Sequence, residues 1–80
     1  MKIDNLNIFE VIQILFKNQN LKAISEKGEI KWVNTILENP PQDRVKDLMY
    51  FNINGYSHHI LRDIVLESLS YAKWSIVEYS

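Results

Sequence analysis

The spacing of apolar positions changes several times along this chain, and each change predicts an element. Over residues 7–17 the repeat is helical: Ile8, Val11, Ile12 and Leu15 share one face, which Phe9 and Phe16 widen. Asn7 stands where an N-cap would accept a first-turn amide, and Glu10, three residues on, completes a capping box. The polar face offers only Lys17 as a basic group, so the broad apolar side reads as core packing and not as a membrane or partner helix. Asn18-Gln19-Asn20 ends the helix, since Asn tolerates a left-handed cap.

The repeat then becomes strand-like. Leu21–Ser25 leads into Glu26-Lys27-Gly28-Glu29, where Gly28 supplies the positive φ of a tight connection, and residues 30–37 follow as a second strand. Both faces of that strand carry apolar groups, which predicts a central or twice-covered position with Trp32 in the core. Asn39-Pro40-Pro41 breaks the pattern because prolines cannot donate to a ladder. Residues 42–48 are polar except Val45 and Leu48, and read as an exposed connection; 39–47 is the natural place for a family-specific insertion.

Asn54-Gly55 lies between two β-prone runs, 48–53 and 56–61, and predicts a hairpin with a two-residue type I′ turn. In that register Ile53 faces Tyr56, Phe51 faces His58 and Tyr50 faces His59. The two histidines then point to opposite faces, so His58-His59 does not make a metal site, and no cysteine or third histidine is present to help.

Asp63 is placed to cap a short helix holding Leu66 and Leu69, after which Trp74, Ile76 and Glu78 alternate with Ser75, Val77 and Tyr79 as a closing strand. The expected fold is α+β and occupies the whole chain, 1–80, as a single domain. Its N-terminal helix packs on a small, bent antiparallel sheet of five short strands, SH3-like or a partly open barrel, with the short helix before the C-terminal strand. A closing strand at a sheet edge, in so short a chain, predicts a homo-oligomer.

Composition narrows the function classes. At 80 residues the chain supports one core and a stability of about 5 kcal/mol. Nine basic and ten acidic residues give a net charge of −1, without the electrostatic footprint of a general nucleic-acid binder. The absence of cysteine fits a reducing compartment, and no apolar run reads as a signal peptide or span, so a cytoplasmic protein with no membrane partner is expected.

No catalytic arrangement emerges: there is no cysteine nucleophile, no Gly-rich phosphate loop and no serine elbow, so neither enzymatic activity nor a cofactor is expected. The remaining chemistry lies on the hairpin and just after it, in Tyr50, Tyr56, His58, His59 and Arg62. Rings that stack, a histidine that donates and an arginine that grips phosphate suit a nucleotide-like ligand.

Leu66-Glu67-Ser68-Leu69 followed by Ala72-Lys73-Trp74-Ser75-Ile76-Val77-Glu78 resembles the Leu-Glu-Asp-Leu, Ala-Asp-Asp-Trp-Glu-Ile ending of small phage proteins that include the Thoeris anti-defence proteins of the second type. The opening Phe9-Glu10-Val11-Ile12-Gln13-Ile14-Leu15 is similar to that family's Phe-x-Glu-Ala-x-x-x-Leu helix, displaced by one residue at the glutamate. The family's Gly-Lys-Lys is here Gln19-Asn20-Leu21, its Arg-x-x-Trp strand is Lys22-Ala23-Ile24-Ser25, and Lys73 replaces an acid. The resemblance implies a phage-encoded, non-enzymatic anti-defence inhibitor that sequesters a nucleotide-derived signal, a cyclic ADP-ribose signal in that family. The alternatives are direct binding of a host defence protein, such as a CRISPR component, through 39–47 and the hairpin, or an interaction module of another kind.

Overall fold

The computed structural model describes residues 2–36, 44–60 and 69–79. Strand β1 (Ile3–Leu6) precedes the helix α1 (Ile8–Lys17), and β2 (Leu21–Ser25), β3 (Gly28–Ile36), β4 (Arg44–Asn52), β5 (Ser57–His59) and β6 (Trp74–Glu78) follow. All described pairings are antiparallel, in one six-stranded sheet ordered β1-β6-β2-β3-β4-β5. The α+β class with one helix on an antiparallel sheet is as the sequence predicts.

The capping box forms as read: Asn7 Oδ1 accepts from the Glu10 amide at 2.9 Å and Glu10 Oε1 accepts from the Asn7 amide at 3.1 Å. From that start the helix buries Ile8, Val11 and Leu15 against Leu21 and Ala23 of β2, Ile30 of β3, Leu48 and Tyr50 of β4, and Trp74 and Ile76 of β6. Each large apolar side chain so buried contributes about 1.5–3 kcal/mol. Trp74 is fully enclosed and packs edge-on to Tyr50, with ring centroids 6.4 Å apart.

Several expectations are corrected. The helix apolar side is narrower than the pattern implies, because Phe9 and Phe16 are 59% and 47% exposed. Asn18 closes the helix with φ −141, an extended and not a left-handed cap, and its Nδ2 donates to the Ile14 carbonyl. Residues 3–6 form a strand that the sequence reading passed over, its ladder interrupted between Ile3 and Leu6 where Asn5 takes φ 61. That strand covers β6, so the closing strand lies inside the sheet between β1 and β2 and not at an edge.

The segment read as an exposed connection is half strand: β4 starts at Arg44, pairs through Lys46 and Asp47 with β3, and buries Leu48. Ladder hydrogen bonds along nine residues outweigh the low strand propensity of those charged groups. The turn at Asn54-Gly55 exists, but its loop has three residues and not two. Asn52 N donates to the Tyr56 carbonyl and Gly55 N to the Asn52 carbonyl, while Asn52 Oδ1 accepts from the amides of Asn54 and Tyr56. Only Gly55, at φ 90, takes the left-handed region there, so the paired positive φ angles of a type I′ turn are not formed. The register slips by one: Phe51 pairs with Ser57, Tyr50 with His58 and Met49 with His59. The Pro40-Pro41 break, the Asp63 cap and most of the short helix expected before the last strand lie outside the described residues.

Candidate functional site

Strands β3 and β4 have nine residues each, whereas β2 and β6 have five, so the β3–β4 ribbon runs on past the start of β2. At that step lies a cavity of about 300 Å³, lined by Gln19, Asn20, Trp32, Val33, Asn34, Lys46 and Tyr79. The turn after α1 supplies the two carboxamides Gln19 and Asn20. Trp32 and Asn34 alternate along β3, and Asn34 pairs with Lys46 on β4.

Each wall is held from behind. Trp32 Nε1 donates to the Leu15 carbonyl at 2.7 Å, and its ring meets Phe16 edge-on, with centroids 5.6 Å apart. Tyr79 is tied by its amide to the Asn20 carbonyl at 2.7 Å. The Tyr79 ring lies 5.7 Å from the ammonium of Lys22 and 5.4 Å from that of Lys31. Glu29 secures both lysines, at 3.5 Å to Lys22 and 2.6 Å to Lys31. The hydrogen bond from Lys31 holds the Glu29 carboxyl below its ordinary range, and the same bond raises Lys31.

The described lining residues include two aromatics, three carboxamides and one ammonium. The Trp32 indole is turned toward the helix and the Tyr79 ring toward Lys22 and Lys31. The lining contains, among the described residues, no carboxylate, histidine or hydroxyl nucleophile beyond the Tyr79 phenol. Among the described residues no group of three His, Asp or Glu could hold a metal ion.

Of the five residues singled out from sequence, Tyr50 and Tyr56 do not line this cavity. Tyr50 is buried, donates through its hydroxyl to the Lys27 carbonyl at 2.7 Å, and has its phenol raised by burial. Tyr56 is 68% exposed just past the β4–β5 turn, away from Tyr50 in the ladder. His58 and His59 pair with Tyr50 and Met49 on β5, and Arg62 lies outside the described residues. The cavity residues escaped notice because Trp32 reads as core, Lys46 as connection and Tyr79 as one face of the closing strand. The available signal was the unequal length of the second and third strands around Asn18-Gln19-Asn20.

No protein-family model, curated protein or solved structure matches the chain. Among the described residues no helix is long and apolar enough to cross a membrane.

Proposed function

We propose that the protein is a non-enzymatic, phage-encoded anti-defence inhibitor that sequesters a nucleotide-derived signal in the host cytoplasm. The observation that supports this reading is the cavity whose lining residues include the aromatics Trp32 and Tyr79, the carboxamides Gln19, Asn20 and Asn34, and the cation Lys46. A base stacks on an aromatic face for about 1–3 kcal/mol, and an ammonium adds a charge-assisted bond to phosphate. In this reading the ligand is held and not cleaved, and no paired acid and base stands among the described lining residues. The resemblance at the two ends of the chain points to the same class of ligand. The strongly bent, SH3-like sheet expected from sequence is supported by the irregularity in β1, whose register shifts between Ile3 and Leu6 where Asn5 takes φ 61.

The test is calorimetry of the purified protein against cyclic and linear ADP-ribose derivatives and cyclic dinucleotides, beside mass spectrometry of whatever heat releases from protein purified out of infected cells. Saturable heat with one of these compounds, recovered intact, is expected. Absence of heat across the series together with an empty extract would overturn the reading.

A second reading, direct binding of a host defence protein, is favoured by the hairpin tip, where Ile53 and Tyr56 both stand in solvent. It expects a host protein to co-purify with the chain, and that association to be lost on Tyr56→Ser.

A further inference from the structure

The outer flank of α1 carries an apolar stripe that the fold leaves about half exposed. Phe9 and Phe16 are seven residues apart and lie one above the other, with Gln13 exposed between them and Ile12 half-buried beside them. Phe16 is further steadied by its edge contact with Trp32, so the stripe is a fixed surface. Next to it runs a second stripe of two charges: Glu10 in the first turn and Lys17 in the last, also seven residues apart.

We infer that two copies of the chain pair through α1, antiparallel, about a two-fold axis passing near Gln13. The spacing is self-complementary. Reversing one helix against the other sets Phe9 of each copy on Phe16 of the other, and it sets Glu10 of each copy beside Lys17 of the other on the same flank. A parallel two-fold pair would instead put the two charged stripes on opposite flanks, where Glu10 and Lys17 could not meet across the interface. An isologous interface of this kind closes on itself and stops at the dimer. The sheet edges are poorer surfaces for self-association: the register of β1 shifts between Ile3 and Leu6, where Asn5 takes φ 61, and β5 has three residues. Oligomer formation expected from a closing edge strand is thereby reassigned to the helix.

Two independent measurements test this. In sedimentation velocity across the micromolar range, the wild-type chain is expected to move from its 9.5 kDa monomer to a dimer. Phe9→Ser, at the more exposed position, and Phe16→Ser, each shown by circular dichroism to be folded, should each weaken dimerisation by about tenfold or more. The chain has no native cysteine, so a Gln13→Cys variant carries a single thiol placed at the proposed axis. Mild oxidation should convert it to a covalent dimer, while Asn54→Cys, at the far hairpin, should not convert. A chain that stays monomeric throughout would overturn the inference, as would a dimer indifferent to both Phe substitutions, or a Gln13→Cys chain that cross-links no faster than Asn54→Cys.

Discussion

The Trp32 indole donates to the Leu15 carbonyl at 2.7 Å, joining the last turn of the helix to the middle of the longest strand pair. Carbonyls in the last turn of a helix have no intrahelical partner, and this one receives the Asn18 amide as well. Trp32→Phe keeps the ring and removes the donor. It should lower stability by about 1 kcal/mol, read as a drop of roughly 4–8 °C in melting temperature. An unchanged melting temperature would mean that the bond holds nothing together.

The two glycines should respond unequally to the same substitution. At Gly28, φ is 140 and a Cβ would collide with the Phe51 carbonyl oxygen across the β3–β4 ladder, whereas at Gly55 φ is 90 and the space is open. Gly55→Ala therefore incurs backbone strain alone, about 1 kcal/mol, while Gly28→Ala adds a backbone collision and should cost roughly 3 kcal/mol or more. Denaturant midpoints of the two variants, compared with wild type, decide it.

Tyr50 gives a prediction in alkaline solution. Burial raises its phenol above the ordinary value of 10.0. Below pH 10 the ring is neutral in both folded and unfolded chains and its full contribution is present. Above that pH the unfolded chain ionises while the folded one resists, so stability falls as pH rises through the folded value. Lys31, also raised, loses its contribution in the same direction. Tyr50→Phe should cost about 1 kcal/mol at neutral pH through the lost bond to Lys27, and should show a shallower alkaline decline, the Lys31 part remaining.

At the acid end Glu29 acts with the opposite sign. Its carboxyl is lowered below 4.5, first by the hydrogen bond from Lys31, so its contribution is present above the unfolded value and is lost as pH falls through the folded one. Because the pair is partly open to solvent, that contribution is small, about 1 kcal/mol or less. Glu29→Gln should be slightly less stable than wild type at pH 7 and converge on it below pH 4.5. Parallel stability curves over that range would show that the pair is energetically silent.

The core was more legible in the sequence than the site, for a physical reason. Ile8, Val11, Leu15, Trp74 and Ile76 are specified by local period, and all are fully buried. The turn at Gly55 was also local and was found. Its register was not, because Asn52 Oδ1 accepts two loop amides and so stabilises a three-residue loop over the shorter one that Asn54-Gly55 suggests. The cavity depends on how far β3 and β4 outrun β2, a relation among residues distant in sequence that no local period records. Phe9 and Phe16 show the converse error: apolar residues beside a core stripe are not thereby inside it.

The sharpest test of the site sets the cavity against the hairpin. Lys46 is exposed on β4, pairs in register with Asn34, and brings the single positive charge among the described lining residues of the cavity. If a phosphate-bearing ligand sits there, Lys46→Ala should weaken its binding by about 1.5–3 kcal/mol, the range for a lost bond to a charged group. Folding stability should be unaffected, since the side chain is not part of the core. Tyr56 lies past the β4–β5 turn and does not line the cavity, so Tyr56→Ala should leave that affinity within about 0.5 kcal/mol. Calorimetric titration of both variants with the same nucleotide-derived compound separates the possibilities. The reverse result, with Lys46→Ala silent and Tyr56→Ala damaging, would move the site to the hairpin, where Tyr56, His58 and His59 lie within four residues of sequence, and would leave the Trp32–Tyr79 cavity a gap between strands of unequal length.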